Sequence, residues 1–218
     1  SGLTRETTYY YAPFSTNEAG TAWGDTLSFT TWNACDNQTT KNYNGYDYAL
    51  AAIESQCWFA ENLRSTQFTD GSAIINMFND GYYPPNGDAS NVATYGYLYQ
   101  WPFNATEMCP SGWAVPSTAQ FDLLNANVSF NGTSLKALSW NGNNDSGFNA
   151  LPAGKTMHPG VSGGNIPVPS GFGTEAHFWT TSNQISYRLT DGALGFAVDN
   201  YGTWPFPFPQ ASIRCLKQ

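Results

Sequence analysis

The sequence predicts an α+β chain of short antiparallel strands, two helices and long polar loops. Three observations lead there. Asn-Gly and Asp-Gly pairs at Asn86, Asn131, Asn141, Asp70, Asp80 and Asp191 punctuate the chain with tight turns. Ser117-Thr118-Ala119-Gln120 is a capping box that opens a helix over Thr118 to Asn125, with Phe121 and Leu124 at helical spacing. Only 11% of residues are charged while 16% are aromatic. Rings therefore supply the core, and the polar surface is left to Asn, Ser, Thr, Gly and Tyr.

Taken in order, the first strands are Thr8-Tyr9-Tyr10-Tyr11 and Thr26-Leu27-Ser28-Phe29-Thr30, with Asn17-Glu18-Ala19-Gly20 as the turn between them. Residues 1–31 are set apart as this hairpin, and 42–218 form the main domain. The Leu3-x-x-x-Thr7-x-Tyr9 entry before Asn17-x-x-Gly20 resembles the last two strands of a fibronectin type III-like domain. Thirty residues cannot build that whole domain, and a lone hairpin is marginal in water. Three readings stay open: the hairpin packs on the main domain, its sandwich has been cut away, or it is an ordinary N-terminal hairpin.

A second helix is expected over Thr94 to Trp101, where Tyr95, Leu98 and Trp101 recur at about three. Near the C-terminus, a two-residue turn at Asp191-Gly192 pairs Thr190 with Ala193, Arg188 with Gly195 and Ile185 with Val198. Alternation then gathers Ile185, Tyr187, Leu189, Leu194, Phe196 and Val198 on a core face. Ser186, Arg188, Thr190, Ala193, Gly195 and Ala197 form a small, polar, open face. Core weight is assigned to Trp58, Trp101, Trp113, Trp140 and Trp179.

Composition excludes some partners. A net charge of -8 and a pI of about 4.4 disfavour nucleic acid and anionic membranes, which both demand a basic surface. No stretch is long and apolar enough to span a bilayer. The chain starts at Ser1-Gly2-Leu3, with neither initiator Met nor signal peptide, and reads as a processed or excised piece. Its four cysteines form no C-x-x-C pair. They are two disulfides of an exported protein or, alternatively, buried free thiols.

Six strings in order carry a resemblance. They are Cys57-Trp58-Phe59-Ala60-Glu61-Asn62-Leu63, Tyr95-Gly96-Tyr97-Leu98-Tyr99-Gln100-Trp101, Cys109-Pro110-Ser111-Gly112-Trp113, Gly147-Phe148-Asn149-Ala150-Leu151-Pro152, Phe178-Trp179-Thr180-Thr181-Ser182 and Ser212-Ile213-Arg214-Cys215-Leu216. Over roughly residues 45 to 217 the chain resembles the Fibrobacter succinogenes major paralogous domain. The resemblance implies a C-type-lectin-like fold, shared with formylglycine-generating enzymes, and an extracellular or cell-surface place. It also implies Cys109 paired with Cys215, which leaves Cys35 for Cys57.

The same fold is similar to that of variable proteins of diversity-generating retroelements, whose C-terminal residues are randomised for binding. Adenine-directed mutagenesis of AAC-type codons yields no Lys, Glu, Gln, Met or Trp. Ser186 to Pro209 lacks the first four, and only Trp204 falls outside the set. The ligand surface is accordingly expected at Arg188, Thr190, Asp191, Asp199, Tyr201, Thr203, Trp204, Phe206 and Phe208. Rings would give contact area, while Arg188 and the two Asp residues would orient the ligand. Thr203-Trp204-Pro205-Phe206-Pro207-Phe208-Pro209 departs from the polar loop usual in that family, and either displays rings or covers a sheet edge.

Enzymatic chemistry is not expected. Gly160-Val161-Ser162-Gly163-Gly164 matches a nucleophile elbow but has loop on both flanks. His158 and His177 lack ligand-like spacing, and His177 reads as part of a core strand. No cofactor is expected either. Trp140-Asn141-Gly142-Asn143-Asn144-Asp145 is the candidate for calcium, although no Glu-Pro-Asn or Gln-Pro-Asp partner string accompanies it. The function expected is a non-enzymatic display protein binding a protein or glycan on another cell or particle. It would be a diversified variable protein, a fixed-specificity surface or pilus-tip adhesin, or, as the rival, an enzyme on the formylglycine-generating-enzyme-like fold.

Overall fold

In the computed structural model, residues 3–4, 6–75, 81–101, 105–158, 168–182, 184–202 and 208–218 are described, His158 and Phe208 by their backbone alone. The expected N-terminal turn closes a ribbon in two steps. Strands β1 (Thr8–Tyr11), β2 (Phe14–Asn17), β3 (Gly20–Trp23) and β4 (Leu27–Thr30) pair as β1 with β4 and β2 with β3. Asn17 accepts the Ala19 N–H at 2.9 Å, which tightens the two-residue loop. Pro13 has no N–H for the ladder, so pairing breaks there, although its carbonyl still accepts the Gly24 N–H at 2.8 Å.

The rest of the chain is mostly strand with few, short helices, which fits the α+β expectation only loosely. In chain order come β5 (Thr40–Tyr43), β6 (Tyr46–Ile53), β7 (Gln56–Phe59), β8 (Tyr82–Tyr83), α1 (Val92–Tyr95), β9 (Leu98–Gln100), β10 (Trp113–Ala114), α2 (Thr118–Asn127) and α3 (Gly132–Leu135). There follow β11 (Lys155–His158), β12 (Val168–Ser170), β13 (Glu175–Trp179), β14 (Ile185–Thr190), β15 (Ala197–Asn200), β16 (Phe208–Ala211) and β17 (Leu216–Lys217). Two five-stranded sheets run β10-β17-β7-β6-β5 and β12-β11-β16-β9-β8, and a third sheet runs β13-β14-β15. Asn44 and Gly45, both at positive φ, make the two-residue turn between β5 and β6.

The capping box forms. Ser117 Oγ accepts the Gln120 N–H at 3.3 Å, and Gln120 Oε1 accepts the Ser117 N–H at 2.8 Å. Helix α2 runs two residues past the expected Asn125 and buries Phe121 and Leu124. The helix expected over Thr94 to Trp101 is corrected: a single turn ends at Tyr95, and Leu98–Gln100 is a strand. Gly96, at φ 70, lies against the carbonyls of Asn62 and Leu63, where a Cβ would come within 2.8 and 2.6 Å. The Tyr97 N–H then bonds to Leu63 O at 2.9 Å, which turns the chain into the sheet.

Two apolar clusters lie between these layers. One holds Tyr48, Phe59, Leu63, Tyr99, Trp179 and Ile213, with Trp101 packed against it. The other holds Trp58, Phe121, Leu124, Phe148, Phe178, Tyr187 and Leu189. Cys35 is bonded to Cys57 and Cys109 to Cys215, the pairs the resemblance implies. Beside Cys215, Arg214 is fully buried and, among the described residues, in no ion pair, although the Glu61 charge is near enough to favour its cationic form. Its guanidinium donates to Asn62 Oδ1 at 2.7 Å, Phe59 O at 3.2 Å, Asn149 O at 3.1 Å and Phe148 O, and lies over the Phe148 ring. Three backbone carbonyls and the Asn62 amide thus take up the hydrogen bonds that a carboxylate would otherwise accept. Among the described residues no helix is long and apolar enough to cross a membrane.

Candidate functional site

The site grows from the alternation of β13, β14 and β15. Ala176, Phe178, Tyr187 and Leu189 point into the second apolar cluster. Opposite faces then carry Glu175, His177, Ser186, Arg188 and Asp199, which meet through the pairings Glu175–Thr190, His177–Arg188 and Ser186–Asp199. The faces of Tyr187, Leu189, Arg188 and Thr190 are those the sequence predicts.

The register of β14 on β15 is not. Ile185 pairs with Asn200 and Arg188 with Ala197, two residues beyond the expected partners. The Asp191-Gly192 turn does form, with the Ala193 N–H on Thr190 O at 3.2 Å, but the ladder stops there. Residues 193–196 dock instead on the α2–α3 corner, where the Gly132 N–H donates to Leu194 O at 2.7 Å and the Phe196 N–H to Asn125 Oδ1 at 3.2 Å. This carries the Phe196 ring among Phe121, Phe148, Phe178 and Tyr187, with centroids 5.5 to 5.9 Å apart. One ring inserted at the cluster outweighs two more ladder pairs. The cost is that Leu194 and Val198, expected inside, are 84% and 55% exposed.

On the polar face sits a linked group of charges. His177 is fully buried, yet a carboxylate meets each ring nitrogen: Glu175 Oε2 at 2.9 Å from Nε2 and Asp199 Oδ2 at 3.2 Å from Nδ1. Arg188 Nε lies 3.2 Å from Asp199 and Nη1 3.7 Å from Glu175. Tyr201 covers the group. Its hydroxyl is 3.3 Å from Ser186 Oγ and 3.4 Å from His177 Nδ1, and Lys155 Nζ stands 5.3 Å over its ring. The hydrogen bond from His177, with the charges of Arg188 and Lys155 behind it, holds the Asp199 carboxyl below the usual carboxylate range. Burial pushes the Tyr201 hydroxyl up to about 12.

Above this group opens a cleft of about 360 Å³ lined by Lys155, Glu175, Arg188, Val198, Asp199, Asn200 and Tyr201. Of the expected surface, Arg188, Asp199 and Tyr201 converge here, and Thr190 stands half-buried at the end of β14 opposite Glu175. Asp191 is directed elsewhere: its carboxylate lies 3.8 Å from the Lys136 ammonium and 3.2 Å from Asn141 Nδ2. Thr203, Trp204 and Phe206 fall outside the described residues, as does Gly160-Val161-Ser162-Gly163-Gly164. The Phe208 backbone, at the start of β16, pairs with His158 at the end of β11.

Sequence reading missed Lys155, Glu175, His177 and Asn200. The signal for the middle two was the Glu175-Ala176-His177 alternation, which puts both on the face opposite Phe178. His177 does lie buried in a core strand, as the sequence indicates, and what was missed is that its ring faces two carboxylates. In the calcium candidate loop the Asn143 and Asn144 side chains serve local backbone, while Asn141 turns to Asp191. Asn144 Oδ1 accepts the Asn149 N–H at 2.8 Å, and Asn143 Oδ1 the Asp145 N–H at 3.3 Å. Among the described residues no three His, Cys, Asp or Glu side chains gather as a metal site.

Comparison with known proteins gives one match, to the family described as Fibrobacter succinogenes major domain, over residues 51–217. No curated protein and no solved structure matches the chain.

Proposed function

The chain belongs to the Fibrobacter succinogenes major domain family, and from that premise we propose that it is a non-enzymatic ligand-binding module of C-type-lectin-like fold, displayed outside the cell. The observation that carries the reading is the cleft between β11, β14 and β15, whose polar walls are fixed before any ligand arrives. Glu175, His177, Arg188 and Asp199 hold one another at 2.9 to 3.7 Å, so little ordering remains to be done on binding. The one imidazole here with acid–base reach is sealed from solvent, which suits a strut better than a proton carrier. Two disulfides accord with an oxidising compartment. The cleft walls from Arg188 to Tyr201 lie within the stretch that is free of Lys, Glu, Gln and Met, which supports a variable protein of a diversity-generating retroelement over a fixed adhesin.

The test displays the protein on beads and screens it against intact bacterial and eukaryotic cells. The Lys155→Ser, Val198→Ser, Asn200→Ser triple variant should keep its melting temperature within about 5 °C, since Val198 and Asn200 are exposed and Lys155 is half-buried with its place over the Tyr201 ring to lose. It should also lose capture of whichever cells the parent holds. Undiminished capture by the variant would place the ligand surface elsewhere.

A further inference from the structure

We infer that the cleft takes a sugar acid, seating its carboxylate between Lys155 Nζ and the free edge of the Arg188 guanidinium. This rests on the binding reading above and adds the ligand class. In so acidic a protein the cations are few, eight in all, and four of them are engaged within the fold. Arg64 is paired with Glu61, Lys136 with Asp191 and Lys217 with Asp36, while Arg214 is buried. Lys155 and Arg188 differ in lining the same open cleft. Lys155 contacts the Tyr201 ring and has no ion-pair partner among the described residues. Arg188 engages Nε with Asp199 and Nη1 with Glu175, and among the described residues its Nη2 has no ion-pair partner.

The neighbouring acids do not cancel this. Both Glu175 oxygens and both Asp199 oxygens already face His177 or Arg188. Toward the cleft they present acceptor lone pairs, which suit sugar hydroxyls, and the Asn200 amide adds both a donor and an acceptor. The walls are otherwise polar, with Val198 the apolar side chain among them, so an acidic peptide would find little to cover its hydrocarbon stem. A neutral sugar would have the same hydroxyl contacts but no charge-assisted one, and would gain extra hold only from an open aromatic face. Tyr201 lacks one here, with Lys155 over its ring and Trp179 at 5.7 Å. The carboxylate must therefore anchor the ligand.

Titration calorimetry would compare N-acetylneuraminic and glucuronic acids with N-acetylmannosamine, glucose and the dipeptide Glu-Glu. At least one sugar acid should bind about tenfold or more tightly than the neutral sugars and the dipeptide, as expected for a charge-assisted contact. Raising the salt should weaken it. Lys155→Gln should reduce that affinity about tenfold while a single cooperative melting transition is retained, since Lys155 gives up only its place over the Tyr201 ring and its charge near Asp199. Arg188→Gln provides the second variant, its folding checked in the same way. Equal binding of neutral sugars, preference for the dipeptide, no sugar binding at all, or full affinity in Lys155→Gln would each overturn the sugar-acid assignment. Cell capture that depends on the cleft would still stand in any of those cases, and its loss would instead sink the binding reading.

Discussion

Two antiparallel units at opposite ends of the chain use the same ingredients with opposite results. In the ribbon β1–β4, Tyr9 and Tyr11 pair with Phe29 and Leu27 on one face, and Phe14 lies 5.1 Å from Trp23. Those rings touch each other and little else: Phe14, Trp23, Leu27 and Phe29 are all exposed. In β13–β15 the equivalent face, Phe178, Tyr187 and Leu189, is fully buried against α2 and the Phe148 loop. Alternation and aromatic content make a strand pair in both. Only the second layer makes it stable, because burial of apolar area, at about 25 cal/mol per Å², is what offsets the entropy of ordering.

The most direct way to break this comparison is a matched ring deletion. Phe178→Ala should lower the unfolding free energy by about 3–5 kcal/mol in urea melts followed by tryptophan fluorescence. A loss below about 1 kcal/mol would mean that the sheet does not depend on its second layer. A glycine pair sharpens the point. A Cβ on Gly132 would sit 2.3 Å from Ala193 O, so Gly132→Ala should undock the 193–196 loop and cost about 1–3 kcal/mol. The clash in Gly24→Ala, 2.8 Å from Pro13 Cγ, should loosen the ribbon alone and leave the main transition where it is.

Acid separates the two units next. Asp199 is held below the usual carboxylate range, so its contribution is complete above about pH 4 and is lost as the pH falls through its lower folded value. Asp199→Asn should therefore melt lower than the parent at pH 7, with the gap closing toward pH 3 in a series of thermal melts. Around it, Glu175, Arg188 and Lys155 are the charged neighbours and His177 the titratable one, and none has a counterpart on the ribbon's ring face. The smallest effect belongs to Phe29→Ala, where the main transition should shift by less than about 0.5 kcal/mol. A larger shift would reveal that the ribbon contributes to the stability of the whole.

What the sequence disclosed follows the same line between local and distant causes. The α2 capping box and the inward faces of Tyr187 and Leu189 depend on residues a few positions apart, and both are legible. The Asn44-Gly45 turn was equally local and was passed over. By contrast, the three-residue recurrence of Tyr95, Leu98 and Trp101 is broken by Gly96 packing on Asn62 and Leu63, some thirty positions away. The two-residue shift of β15 is imposed by Asn125 and Gly132 across the fold. The cleft was half visible for the same reason. Arg188, Asp199 and Tyr201 sit on one hairpin and its exit, whereas Lys155 arrives from β11 and Glu175 and His177 from β13. No pattern along the chain says that these strands become neighbours.

The placement of the two disulfides has a mechanical side. A pull on the segment before Cys35 passes through that cysteine's bridge straight into Cys57 on β7, bypassing the residues between. The strand β7 is laced to the end of the chain by the Leu216–Trp58 pairing and the Phe59 N–H on Cys215 O at 2.9 Å. Should that lacing tear, tension runs along the chain to Cys109 and crosses its covalent bridge to Cys215. Residues 110–214, with Lys155, Arg188 and Asp199 among them, form a closed loop off the line of force. The residues of the cleft therefore stand off the covalent line of tension, and a pull reaches them through non-covalent contacts such as the pairing of β9 with β16 and the Trp179 bond to Tyr99 O.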